Sequence, residues 1–297
     1  MDQTPLLTVF ELLKWTEDSL KLAEVEEWQR EALLMVASAL SLRPADVKAY
    51  GSRPVHPGCK AIIGEWVRRR KYKEPLQYII GETEFMGRDF MVGPGVLIPR
   101  PETEILVGEA LAMLKAKGVS SSPFVLDICS GSGCIAVSVA VEFPDVKVIA
   151  TDISPDAVET TVKNALLNGV YENIECLEGD LFEPLREQNL EGRFDLILAN
   201  PPYVASNVIS TLEEEVKDFE PRLALDGGTD GLDVIRRLVQ GAATYLKPGC
   251  ALIMEVGYDQ VRGVEGIIRE SGAYDNIVVK KDYSGIERVV MAFKKMG

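Results

Sequence analysis

Apolar residues recur at every third or fourth position over the first 75 residues. Between Thr8 and Leu20, the residues Val9, Leu12, Leu13 and Leu20 mark one face of a helix, and Val25–Leu40 follows the same rule. Leu42–Val47 sets Pro44 where a helix restarts, because a proline in the first turn forfeits no intrahelical bond. Ile62, Ile63, Trp66 and Val67 add a further stripe that ends in the basic run Arg68–Lys71. The pattern predicts a small helical-bundle domain over residues 1–75. The basic run reads as a solvated helix end favoured by the helix dipole, with a patch facing a partner as the alternative.

The periodicity then changes twice. Over residues 76–99 apolar and polar positions alternate around Gly87, which predicts a two-stranded β-hairpin, a connector or linker spanning residues 76–100. Pro99-Arg-Pro-Glu-Thr-Glu104 restarts a helix that runs to about Lys117. From about residue 122 strands, glycine-rich turns and helices follow one another. Strands are predicted at Phe124–Ile128, Val146–Thr151, Ile174–Leu177, Phe194–Ala199, Ala251–Val256, Ile277–Lys281 and Arg288–Phe293. Helical segments separate most of the first five, as a parallel sheet covered on both faces requires. The short link Asp282–Glu287 makes the last two an antiparallel pair at one edge. Residues 101–297 are therefore expected to form a seven-stranded, doubly wound, Rossmann-like α/β domain.

Composition narrows the chemistry. The 297 residues are 46% hydrophobic, enough to bury a sizeable core in one large domain or two ordinary ones. A single histidine, His56, leaves no room for paired-histidine zinc sites and weakens any triad with a histidine base, so no metal site is expected. Five cysteines without a CxxC suit reduced thiols in a cytoplasmic protein. The N-terminus has no basic region ahead of its apolar residues, and no apolar run approaches the roughly 20 residues a membrane helix needs, so no membrane association is expected. The net charge of −14 is unevenly spread: residues 1–75 hold 11 acids and 12 bases, leaving 35 acids and 20 bases for the rest. A region at −15 repels bare nucleic acid, and no direct nucleic-acid contact is expected. It suits instead a protein partner that presents basic surface, bound in a salt-sensitive way.

Two strand ends carry chemistry. After the first predicted strand, Cys129-Ser130-Gly131-Ser132-Gly133 turns tightly into an apolar helix and lets backbone approach a ligand lying over the sheet edge. Asp152 ends the next strand, where a carboxylate can accept both hydroxyl protons of a ribose. Gly131–Ala136 also satisfies the GxGxxA dinucleotide fingerprint, so this piece alone leaves NAD open beside S-adenosylmethionine. Asp180 follows the third strand, placed either to contact an adenine or to cap a turn.

The fourth strand ends in Asn200-Pro201-Pro202-Tyr203. An amide or aromatic-amine nitrogen is a poor nucleophile because its lone pair is delocalised. Acceptors set out of the group's plane disfavour that delocalisation, and the Asn200 side-chain oxygen and the Pro201 carbonyl can supply two of them. The prolines carry no N–H and fix the backbone, so those carbonyls are preoriented. Tyr203 offers a flat face to a planar amide or base. With a sulfonium leaving group no histidine base is needed.

The chain resembles the HemK/PrmC family of protein-glutamine N5-methyltransferases along nearly its whole length. The matching segments are Pro75–Gly81, Leu97–Glu104, Asp127–Gly133 and Asn200–Tyr203, followed by Glu220-Pro221, Ala224–Gly228 and Asp282–Arg288. NPPY alone is shared with N6-adenine methyltransferases; joined to Ile98-Pro-Arg-Pro-Glu-Thr-Glu104 and a helical N-terminal domain it is far more specific. The resemblance implies a class I S-adenosylmethionine-dependent methyltransferase that acts on the glutamine of the GGQ motif in bacterial class I peptide chain release factors, modulating translation termination. It implies that Cys129–Gly133 and Asp152 bind S-adenosylmethionine, with S-adenosylhomocysteine as product and Leu181 beside the adenine. Asn200 would contact cofactor and substrate, and Asn200–Tyr203 would hold the glutamine. Arg100 is expected to help orient the target loop as its segment closes over the cofactor. Cys129 departs from the family's usual glycine, and a positive φ there would strain it. A monomer is expected. The alternative activity is N6-adenine methylation of DNA or RNA through the same pocket.

Overall fold

The computed structural model describes residues 6–116 and 122–296. They form two compact units, Met1–Gly81 with Glu214–Phe219, and Glu82–Glu213 with Glu220–Gly297.

The first unit is helical. Helix α1 (Val9–Leu22) opens on a capping box in which the Thr8 hydroxyl accepts from Glu11 N–H at 3.2 Å and the Glu11 carboxylate accepts from Thr8 N–H at 2.7 Å. Helix α2 (Trp28–Ala39) follows, then α3 (Pro44–Val47), which starts at Pro44 as the sequence suggests. Helix α4 (Pro57–Lys71) is capped by the lone histidine: His56 Nδ1 accepts from Gly58 N–H at 3.1 Å. Helix α5 (Leu76–Ile80) ends on Gly81 at φ 91°, a left-handed stop. Val9, Leu12, Leu20, Met35, Val36 and Ile63 meet in the core of this unit.

The basic run at the end of α4 differs from the solvated end expected. Arg68 remains exposed and pairs with Glu65. Arg69 forks onto Glu74 at 2.8 and 2.5 Å. Arg70 is buried, held by Glu31 at 2.7 and 3.0 Å and by Glu215 at 2.7 Å. Removing one partner of such a buried pair costs about 3–5 kcal/mol, so Arg70 is a structural cross-link and not a patch for a partner.

The second unit begins with the hairpin, narrower than the alternation over 76–99 suggests because α5 takes its first part. Strands β1 (Glu82–Phe85) and β2 (Arg88–Met91) pair antiparallel, and Met86 and Gly87 both adopt positive φ, as a two-residue hairpin turn demands. Phe85 and Phe90 point inward, edge to face with centroids 5.9 Å apart, into the core beneath α6 (Thr103–Ala116). The expected end of α6 at Lys117 lies outside the described residues.

The large sheet follows: β3 (Phe124–Ile128), α7 (Cys134–Glu142), β4 (Lys147–Asp152), α8 (Pro155–Leu167), β5 (Ile174–Glu178), β6 (Phe194–Ala199), α9 (Asp233–Tyr245), β7 (Leu246–Glu255), α10 (Val261–Ser271), β8 (Tyr274–Lys281) and β9 (Glu287–Lys294). Strand order is β5-β4-β3-β6-β7-β9-β8, with β3 to β7 parallel and β9 antiparallel to both its neighbours. The edge pair is antiparallel as anticipated, with β9 inserted between β7 and β8. Strand β7 starts at Leu246 rather than Ala251, since the polar Lys247-Pro-Gly stretch and a register shift against Phe194–Leu196 conceal its beginning in the sequence. Among the described residues no helix is long and apolar enough to cross a membrane.

Chain direction reverses its progress across the sheet between β3 and β6, and such a switch point opens a crevice at the carboxyl ends of the strands. Ile128 and Ala199 are register partners, so the next residues, Cys129 and Asn200, leave the sheet side by side.

Candidate active site at the carboxyl ends of the central strands

A cavity of about 210 Å³ occupies that crevice. Its lining includes Cys129, Ser130, Gly131 and Ser132 from the turn after β3, Asp152 from β4, Asp180 and Leu181 after β5, and Asn200 and Pro202 after β6. Arg100 also lines it. Of the remaining expected site residues, Gly133, Pro201 and Tyr203 are not part of its lining.

The turn is built on left-handed backbone. Cys129, Gly131 and Gly133 take φ of 61°, 55° and 76°. Position 129 thus does call for the conformation that glycine adopts freely, at a cost of about 1–2 kcal/mol for an L side chain. Burial, together with Asp152, Asp127 and Asp180, pushes its thiol well above the usual range. A Cβ on Gly131 would stand in open space, whereas one on Gly133 would lie 2.7 Å from Thr161 Cγ2. Gly133→Ala is therefore expected to destabilise the fold by about 2–4 kcal/mol, combining left-handed strain with overpacking, and Gly131→Ala by only about 1 kcal/mol. Urea unfolding midpoints check this; equal shifts for the two would refute the steric assignment.

The acids are placed by backbone. Asp152 accepts from Gly131 N–H at 2.8 Å and Ser154 N–H at 2.9 Å, which ties the ends of β3 and β4 together. Burial pushes its carboxyl above the usual range, and the N–H groups of Ser154, Gly131 and Ile153 pull it back. Asp180 receives Arg237 of α9 at 2.6 Å. Leu181, at φ 50°, is held through its carbonyl by the Thr151 hydroxyl at 3.1 Å.

Arg100 forms an ion pair with Glu220, which is buried and also accepts from Ile98 N–H at 3.3 Å. Glu104 accepts from Met86 N–H at 2.8 Å and so binds the hairpin turn. Asn200 Nδ2 donates to the Thr103 hydroxyl at 3.3 Å. Tyr203 does not turn a free hydroxyl to the cavity; its O–H donates to Glu255 at 3.1 Å. Burial pushes the Glu255 carboxyl up, and the hydrogen bonds from Thr103 and Tyr203, with the nearby charge of Arg288, pull it back.

Several supporting residues escaped the sequence reading. Asn164 of α8 donates to the carbonyls of Ser132 at 2.8 Å and Met91 at 3.0 Å and accepts from Met91 N–H at 2.7 Å, linking hairpin and turn. Thr161, one turn earlier, donates to the Gly131 carbonyl at 3.2 Å. Both are fully buried polar residues on an otherwise apolar helix face, which was the available signal. Glu255, Thr103 and Glu220 meet the site from distant parts of the chain. The Ala224–Gly228 segment runs beside Pro202–Ser206: Val204 N–H donates to the Leu225 carbonyl at 2.9 Å and Gly227 N–H to the Val204 carbonyl at 2.8 Å. A Cβ on Gly227 would lie 2.7 Å from the Pro202 carbonyl oxygen, which explains a glycine there.

A glycine turn paired with an Asn-Pro-Pro-Tyr turn suits methyl transfer to a planar nitrogen, and comparison with known proteins agrees. Residues 110–283 match the Methyltransferase small domain and residues 11–81 the PrmC N-terminal domain. The release factor glutamine methyltransferase of Geobacter sulfurreducens is 40% identical over 289 residues, 97% of this chain and 98% of that protein. The chain belongs to the release factor glutamine methyltransferase family. The relative from Moorella thermoacetica is 40% identical over 271 residues, covering 91% of this chain and 93% of its own. Solved structures share the fold. A human methyltransferase 10 domain containing protein superposes with a TM-score of 0.52 at 14% identity, covering 71% of this chain and 89% of its own. The T. Thermophilus 16S rRNA methyltransferase solved with AdoMet and guanosine superposes with a TM-score of 0.51 at 22% identity, over 72% of this chain and 50% of its own.

Proposed function

We propose that the protein transfers a methyl group from S-adenosylmethionine to the side-chain amide nitrogen of the glutamine in the GGQ loop of class I peptide chain release factors, acting as a monomer in the cytoplasm. The observation that carries this is the emergence of Asn200 and the glycine turn from paired neighbouring strands, into one cavity. The cavity fits the cofactor: Gly131 leaves open space where a side chain would intrude, and carboxylates stand at Asp152 and Asp180. Cys129–Gly133 would hold its methionine part, Asp152 its ribose, and Asp180 with Leu181 its adenine. S-adenosylmethionine would supply an electrophilic methyl on a sulfonium that departs as the neutral thioether, and the amide nitrogen gives up one N–H proton after the transfer.

The chain's own residues do the rest. Asn200 Oδ1 and the Pro201 carbonyl accept the two N–H groups of the glutamine amide, holding its nitrogen toward the cofactor and weakening its conjugation. Pro201 and Pro202 keep that backbone from rotating, so the transfer relies on positioning and carbonyl electrostatics. Tyr203 backs the amide, its hydroxyl anchored on Glu255. Arg100, braced by Glu220, faces the incoming loop from the cavity wall. Adenine methylation gains no support from a basic groove, because Arg69 and Arg70 of the basic run are bound to carboxylates.

Incubation with labelled S-adenosylmethionine and either a class I release factor or DNA tests the proposal. Mass spectrometry of the GGQ peptide is expected to find a single added methyl on the glutamine. Label confined to adenine, or no methyl on any release factor, would overturn it.

A further inference from the structure

Thr103 and Glu255 are both buried to about 1% exposure, and the transfer scheme above gives neither a direct part. We propose that they form a polarity relay that fixes which way the Asn200 amide points, and that they are positioning residues for the transfer. The proposal rests on the methyl-transfer function.

The relay follows from counting donors and acceptors. Glu255, at the end of β7, takes the Thr103 hydroxyl at 2.6 Å on one oxygen and the Tyr203 hydroxyl at 3.1 Å on the other. The Thr103 hydroxyl donates to Glu255, so its one proton is committed there. Thr103 Oγ1 then has only lone pairs to offer Asn200, 3.3 Å away, and the Asn200 group that faces it must be the NH2. The Asn200 carbonyl oxygen is left on the opposite edge of the amide, as an acceptor for a substrate N–H. A flipped Asn200 would set oxygen against oxygen at Thr103 and offer N–H donors to a substrate that itself brings N–H donors. The same carboxyl group holds Tyr203, so one buried side chain aligns both ends of the Asn-Pro-Pro-Tyr turn. Residues 103, 200, 203 and 255 come from α6, the β6 end and the β7 end of one unit.

The test compares the full-length parent with Thr103→Val, Thr103→Ser and Glu255→Gln, measuring turnover on release factor, KM for release factor and cofactor Kd by calorimetry. Thr103→Val keeps the shape but removes the hydroxyl, and is expected to lower kcat by about 10- to 100-fold, roughly 1.4–2.7 kcal/mol at about 1.36 kcal/mol per decade, with cofactor Kd within about threefold. Thr103→Ser restores the hydroxyl and is expected to bring turnover back to within about threefold of the parent. Glu255→Gln gives the relay an N–H where it needs an acceptor and is expected to lower kcat as Thr103→Val does, again sparing cofactor Kd. Circular dichroism melts identify a variant that fails to fold, and the remaining two then decide. Parental turnover in Thr103→Val or Glu255→Gln, or a Thr103→Ser as impaired as Thr103→Val, would overturn the relay. A parent enzyme that binds cofactor yet methylates no release factor would instead overturn the function on which the relay rests.

Discussion

Replacing Asn200 with Ala is expected to lower kcat on release factor by roughly 10²- to 10³-fold, the scale seen when one preorganised polar group is removed from a transition-state site. Cofactor affinity should change far less. The asymmetry follows from geometry: the cavity is walled on the cofactor side by the Cys129–Ser132 turn, Asp152, Asp180 and Leu181, all of which survive the substitution. In the proposed transfer Asn200 acts where the amide nitrogen gains nucleophilic character, and a group needed more in the transition state than in the ground state lowers kcat when lost. Single-turnover rates beside calorimetric cofactor titration separate the two quantities. Equal losses in both would make Asn200 a binding residue alone.

Asp152→Ala should behave in the opposite way, raising cofactor Kd by on the order of 10²-fold, since hydrogen bonds to a charged group contribute about 1.5–3 kcal/mol each. Part of the loss comes from the protein itself. Gly131 N–H and Ser154 N–H lose their acceptor, so the turn that receives the methionine part loosens together with the ribose contact. Asp152→Asn keeps one acceptor oxygen and should fall between the parent and Ala. A pH dependence follows as well. Burial pushes the carboxyl above its usual range in the free protein, and ribose hydroxyls favour its ionised form, so affinity should be full above that raised value and weaken as pH falls through it. An unaltered Kd in Asp152→Ala would remove the ribose assignment.

The sequence disclosed those features whose signal is local. Buried β-runs ending in Gly-Ser-Gly and in Asn-Pro-Pro-Tyr can be read within a dozen residues, and both turns lie where ligands gather in a doubly wound sheet. Pro44 and the hairpin glycine Gly87 are likewise legible, because each constrains its own backbone. What stayed hidden depends on partners remote in sequence. Arg70 is one of four consecutive basic residues, and only the arrival of Glu31 and Glu215 turns it inward. Glu255 closes an apolar strand and looks like a frayed end until Thr103, 152 positions away, is found donating to it. Leu76–Ile80 alternates well enough to pass for strand, yet Gly81 ends it as a helix. The position of Cys129 was legible as a departure, and its φ of 61° gives the departure a conformational meaning.

The register of Ile128 against Ala199 has a mechanical consequence. The glycine turn and the Asn-Pro-Pro-Tyr turn start from adjacent strands joined by a ladder of main-chain bonds, so the span between Cys129 and Asn200 is set by interstrand spacing, about 4.8 Å. Breathing of surface loops would leave that span unchanged. In the proposed transfer, methyl donor and amide acceptor are therefore aligned on the same two rungs of the sheet.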